Sequence, residues 1–177
     1  MEKILTLIII CLALWSCDKY RSCENLVEFE FQLLDENGEQ ATTFAFEENF
    51  SFNFSIINNT EDALFLSEMY NMDSFFEVFK IEDSGELVSY GKPYNAIFCE
   101  YIGGYKIPSS GSLLVELSWI PGQDIISPIL CNLKHDNTPL PAGNYQTGIS
   151  TIFTFQKGEE DFLTKESSID ILFQITP

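Results

Sequence analysis

The chain has 177 residues, 45% of them hydrophobic and 14% aromatic, and it carries 27 acidic against 9 basic side chains for a formal net charge of −18. That balance excludes a nucleic-acid binder, whose target phosphates call for a basic patch, while the length suits one ordinary domain with enough chain to bury a core. The plain reading of the acidity is solubility, and it also repels anionic lipid headgroups.

The first element is an address. Met1-Glu2-Lys3 precedes an apolar run from Ile4 to Trp15, followed by a small residue, Ser16, and Cys17. The run is about twelve residues long, whereas a membrane-spanning helix needs about twenty. A short basic start, an apolar middle and a small residue before the cut form the pattern of a secretory signal peptide. Leu14-Trp15-Ser16-Cys17 resembles the lipobox of bacterial lipoproteins, with Trp15 where smaller residues are usual. The resemblance implies cleavage before Cys17, a diacylglycerol on its thiol and an acyl chain on its new amino group. Several chains at roughly 0.8 kcal/mol per buried methylene make a stable anchor. The expected organisation is a signal peptide at 1–16, a lipidated tether at 17–25 and one domain at 26–177. The protein is then exported to the cell envelope and held there by lipid, with the choice of inner or outer membrane left open. Removing the signal takes away Glu2 and Lys3 together, so the charge is unchanged.

Export leaves Cys23, Cys99 and Cys131, an odd number, so at least one is unpaired or pairs between chains. The preferred bridge is Cys99 with Cys131, both inside the domain; closing a loop of about thirty residues would stabilise it by roughly 3 to 4 kcal/mol on the chain-entropy model. A buried pair of free thiols is the alternative.

From Asp18 to Glu24 the chain is polar and reads as a tether of about 20 Å if extended. After that the hydrophobic period is two. Val27-Phe29-Phe31-Leu33 alternates with Glu28, Glu30 and Gln32 and ends at the turn Asp35-Glu36-Asn37-Gly38. Phe44 to Phe46 is a weaker strand. Phe50-Phe52-Phe54-Ile56 is the clearest alternation, stopping at Asn58-Asn59-Thr60. Ala63 to Glu68, then Phe75 to Glu82 and Glu86 to Tyr90 joined by Asp83-Ser84-Gly85, continue the series. Ile97 to Ile102 and Ser112 to Trp119 follow, with a loop from there to Pro141. Asn144 to Phe155 and Ser167 to Thr176 close the chain, and no segment sustains a helical period. About seven to nine short strands at this spacing describe an all-β chain, an Ig-like antiparallel β-sandwich. Leu140-Pro141-Ala142-Gly143-Asn144-Tyr145 has the layout of a tyrosine corner, which would make Trp119 a core residue between the sheets.

Three stretches carry a family likeness: the Asn-ended strand Ser51 to Asn58, the hairpin "FFEVFKIEDSGELV" at 75–88, and Ser110-Gly111 through Trp119 leading on to "PAGNY". Over roughly residues 50–155 the chain resembles the bacterial Ig-like domains grouped with the BsuPI-type intracellular proteinase inhibitor. It has Ser89-Tyr90-Gly91 where that family has an aromatic residue and a Ser. The resemblance implies the fold, suggests inhibition of an envelope protease as a second function, and assigns no functional residue here.

Chemistry is sparse. His135, the single histidine, sits beside Asp136 without a Gly-x-Ser-x-Gly elbow, and with Cys131 it offers two of the three or four ligands zinc needs. The carboxylate runs Glu47-Glu48, Glu82-Asp83 and Glu159-Glu160-Asp161 fall in turns, where glycosidase geometry is not available. Calcium suits such loops better, but Asp35 to Glu39 lacks EF-hand spacing, and turn chemistry is the simpler account. No catalysis, metal or cofactor is expected. The candidate binding surface is "YGKPYNAIFCEYIGGY" at 90–105, where Tyr90, Tyr94, Tyr101 and Tyr105 lie among Gly, Pro and Asn. Tyr provides contact area at low entropic cost and keeps a polar tip, so protein or carbohydrate could stack there. The bland alternative is four tyrosines covering one edge of the core.

Overall fold

Alternating apolar residues have one use when both sheet faces cannot be wet: the odd set turns inward and meets the same set from another sheet. The structure, a computed structural model, describes residues 20–22, 26–70, 75–98, 104–120, 126–134, 137–158 and 161–177. Among them the chain forms β1 (Tyr20–Ser22), β2 (Val27–Leu34), β3 (Thr43–Ala45), β4 (Ser51–Asn58), β5 (Leu64–Tyr70), β6 (Val78–Ile81), β7 (Leu87–Gly91), β8 (Asn95–Phe98), β9 (Tyr105–Ile107), β10 (Ser112–Ser118), β11 (Leu130–Lys134), β12 (Gly143–Lys157) and β13 (Asp161–Thr176).

The fold is all-β, a β-sandwich as expected. One sheet is β10-β4-β2, antiparallel throughout. The other is built on the long β12–β13 hairpin. β5 pairs with the late part of β12 and β6 with its early part, so both share one edge of that strand; β9 extends β5, and β7 extends β6. On the other edge, β3 and β1 add to β13 in parallel. A small pair, β8 with β11, stands apart.

The thirteen strands among the described residues exceed the expected number in part because three-residue pieces such as β1 and β9 are too short to show alternation. The span from Trp119 to Pro141, expected as loop, contains β11. β13 begins at Asp161, six residues before the expected start, because its early part pairs with β12 while carrying charged and polar side chains. Phe75 and Phe76 fall outside β6: Phe76 has φ 62°, which breaks the extended chain and drives both rings into the core. Of the segment expected as tether, Tyr20–Ser22 is paired with Phe162–Thr164.

The core is a mass of phenylalanine. Phe50, Phe52, Phe54 and Ile56 of β4 are buried, and the three rings meet the opposite sheet and the segment leading into β6: Phe54 lies 5.7 Å from Phe153, Phe50 5.3 Å from Phe173 and Phe52 5.3 Å from Phe76. Phe29 from β2 adds a 4.5 Å contact to Phe153. Each such pair contributes about 0.5–1.5 kcal/mol beyond the area it buries.

An asparagine stands at each end of β4. Asn49 accepts from the backbone N–H of Phe50 and Ile120 and donates to the carbonyl of Ile120 at 3.0 Å, tying down the chain leaving β10. Asn58, fully buried, donates to the carbonyls of Asp62 and Pro108 at 2.8 and 2.9 Å and accepts from the N–H and hydroxyl of Thr60, tying down the chain entering β10. The tyrosine corner is present: the Tyr145 hydroxyl donates to the carbonyl of Pro141 at 2.7 Å. Burial, with Tyr90 and Glu82 nearby, pushes that hydroxyl up to about 12, and burial raises Tyr94 in the same direction.

Two outcomes follow for stability. Asn58→Ala strips partners from several buried backbone groups at once and is expected to cost roughly 3 kcal/mol in denaturant unfolding. For Tyr145 the neutral form is favoured in the fold, while the unfolded chain ionises near the ordinary tyrosine value of about 10. Its contribution is therefore fully present below about pH 10 and is lost as pH rises towards 12. Tyr145→Phe should lower stability by about 1 kcal/mol at neutral pH and soften the alkaline fall, as measured by unfolding midpoints across that window.

Candidate functional site

The β6–β7 hairpin closes with the N–H of Glu82 donating to Glu86 at 2.9 Å and that of Gly85 donating to Glu82 at 2.8 Å, with Gly85 at φ 82°. From that closing pair the register runs Ile81 with Leu87, Lys80 with Val88 and Phe79 with Ser89. It then slips: Val78 faces Gly91, so Tyr90 is an extra residue, a β-bulge, and Gly91 takes φ 104° to absorb it. The bulge carries Tyr90 onto Tyr145, ring edge to ring face at 5.7 Å, and leaves it 43% exposed.

Tyr90 forms one wall of a recess of about 270 Å³, lined also by Trp119, Asn137, Thr138, Pro139 and Leu140. Its far wall is fixed from two sides. Asn137 donates its side-chain amide to the carbonyl of Lys92 at 2.7 Å, just past β7. The indole N–H of Trp119 donates to the carbonyl of Thr138 at 2.8 Å, while its ring lies parallel to Phe50 at 6.2 Å. A recess of this size with Tyr90 and Trp119 in its lining can hold one bulky side chain or a sugar ring.

The outer face of the same strands is apolar with an acidic border. Leu87 (47% exposed) and Leu172 (64%) stand out there beside half-buried Phe79 and Ile81. Glu77, Asp83, Glu86 and Asp170 surround them, while Glu82 is bridged to Lys80 at 3.1 Å on the Tyr145 side. Other acidic turns are satisfied locally. Asp35 accepts from the N–H groups of Asn37 and Glu39 at 2.9 and 2.8 Å, and these bonds, Glu39 foremost, hold its carboxyl below the usual range. Glu48 likewise accepts from the N–H of Ala45 at 2.6 Å. No three His, Cys, Asp or Glu side chains converge among the described residues.

The three described tyrosines do not form one surface. Tyr94 is a correction: it is 7% exposed, packs edge-on to Phe76 and donates to the carbonyl of Phe75 at 3.2 Å, so it belongs to the core. Tyr105 is half-buried on β9, beside the late part of β12, while Tyr90 sits beside its early part. The two are separated by about 30 Å along that strand. Tyr101 lies outside the described residues, as do Cys17, Cys23, Cys99 and His135. Cys131 is disulfide-bonded, to a partner outside the described residues; its strand β11 pairs with β8, which ends at Phe98 opposite Leu130. Sequence reasoning missed Trp119 and Asn137–Leu140 as walls of the recess. The tyrosine corner was the available signal, since it bends the chain before Tyr145 back across the sandwich end.

No protein-family model matches this chain, and no curated protein matches it. Among solved structures it is similar to the Northeast Structural Genomics Consortium target SoR45, at 14% identity over 88% of this chain and 91% of that one, with a TM-score of 0.39. It is also similar to the C-terminal domain of wzt, at 8% identity over 87% of this chain and 75% of that one, with a TM-score of 0.34.

The two tyrosines should separate cleanly by truncation. Tyr94→Ala is expected to cost roughly 3–5 kcal/mol, as for other large core aromatics, while Tyr90→Ala should stay within about 1 kcal/mol. Chemical denaturation of both variants checks this, and equal losses would make Tyr90 a structural residue.

Proposed function

We propose that this protein is a lipid-anchored interaction module of the bacterial cell envelope, without catalysis of its own, and that the recess beside Tyr90 is its contact site. The observation that carries the reading is Tyr90, a large aromatic held half-exposed by a β-bulge over a recess with hydrogen-bonded walls. Bulges re-aim side chains at functional edges, and tyrosine suits binding for its area and polar tip. The disulfide at Cys131 fits an oxidising compartment.

An anchor on Cys17 would lie at the end of the domain opposite the recess. Tyr20 pairs with Phe162, which faces Gln156, whereas Tyr145 faces Phe173. A lipid on Cys17, three residues before Tyr20, would be within about 10 Å of the β1 end. The Tyr90 recess would then project roughly 35 Å farther along the strands, towards partners rather than headgroups.

The test is the intact mass of membrane-extracted protein beside a Cys17→Ala form. The expected mass lacks residues 1–16 and carries acyl chains, and both features vanish with the substitution. A soluble, unmodified full-length mass would overturn the anchor. Stoichiometric loss of activity in a protease panel would instead favour the inhibitor reading.

A further inference from the structure

We propose that the free edge of β7 takes up an extended, basic segment of a partner protein as an added strand, with one bulky side chain of that segment seated in the recess beside Tyr90. The inference deepens the interaction-module reading and rests on it.

Backbone geometry supplies the first argument. Glu82 and Glu86 are a hydrogen-bonded pair, so by antiparallel alternation Lys80 with Val88 is another, and Leu87 and Ser89 turn their N–H and C=O groups away from β6. Among the described residues β7 pairs with β6 alone, so those four groups face outward as a template for a further strand. Side chains supply the second. Edge strands are ordinarily blunted by charge or proline, as β2 is by exposed Glu28 and Glu30. Leu87-Val88-Ser89-Tyr90 has neither, and Leu87, Val88 and Tyr90 are 47%, 42% and 43% exposed. The third argument is position. Lys80 and Val88 share the sheet face of Tyr145, the face that Tyr90 contacts. A strand laid beside β7 would therefore direct alternate side chains to the Tyr90 side, where the recess is, and the others onto the Leu87 and Phe79 side.

Charge selects the occupant. Glu77, Asp83 and Glu86 border the edge, and the chain carries −18 overall, so a second copy brings the same acidity to the contact. A segment alternating Lys or Arg with bulky apolar residues complements both the border and the recess.

The experiment uses detergent-solubilised full chain and two fluorescent peptides, acetyl-KFKVKFK-amide and acetyl-EFEVEFE-amide, read by anisotropy. The basic peptide should bind at least about tenfold more tightly than the acidic one, and Ser89→Pro and Leu87→Lys should each weaken it by about tenfold or more. The ladder to β6 does not use the Ser89 N–H, so Ser89→Pro should keep the native circular dichroism; Leu87→Lys keeps the test sharp if it does not. Failure of the basic peptide to bind, or equal binding of both peptides, overturns the proposal. Undiminished binding by folded Ser89→Pro and Leu87→Lys proteins overturns strand addition. If Tyr90→Ala alone then weakens binding, the recess reading survives its loss. Self-association removed by Ser89→Pro would assign the edge to a second copy and also overturn it.

Discussion

The structure depends on one row of side chains, the inward face of β4. Phe50, Phe52, Phe54 and Ile56 sit on the central strand of the smaller sheet, flanked by β2 and β10, so they can meet only the opposite sheet. Rings this large leave no room for a slip of register, because a one-residue shift would turn them away from the core and turn Asn53 and Ser55 into it. Asn49 and Asn58 lock the two ends of the row by satisfying backbone groups that the loops around β10 would otherwise bury unpaired. Hydrophobic packing thus chooses the face, and buried amides choose the register.

The candidate site is an extension of that core. Phe50 lies parallel to Trp119, and Trp119 holds Thr138 through its indole N–H. On the other wall, Tyr145 holds Pro141 through its hydroxyl and supports Tyr90 with its ring. The walls of the recess are therefore set by residues whose own positions are fixed by burial, and little ordering remains to oppose binding there. At the outer mouth the side-chain amide of Asn137 is bonded to the carbonyl of Lys92.

The sequence announced what alternation and turn chemistry can announce. The β4 row, the Asp83-Ser84-Gly85 hairpin, the corner at Pro141 and Tyr145, and the burial of Trp119 all arise from local spacing, and all are found. What lay beyond it arises from pairing between distant segments. β11 is legible only beside β8, and β1 only beside β13. The four tyrosines share a stretch of sequence, but the chain reverses within it: Tyr94 turns into the core and Tyr105 leaves for the other end of β12. Tyr90 is re-aimed outward, and the cause is a bulge that no periodicity reveals.

A bulge beside a free edge serves two opposed ends. By twisting the strand at Tyr90 it shortens the regular edge to Leu87 through Ser89, which limits the run available for indiscriminate sheet growth. The same displacement opens the recess, so a visiting strand must satisfy few backbone groups and one side-chain pocket together. Backbone pairing alone is blind to sequence, whereas a pocket and an acidic border are not. An edge that is short, apolar and bordered by carboxylates can therefore discriminate among strands, and under the proposed strand addition the acidity of the whole chain, which looks like bulk solubility in the composition, would become at this place a term in recognition.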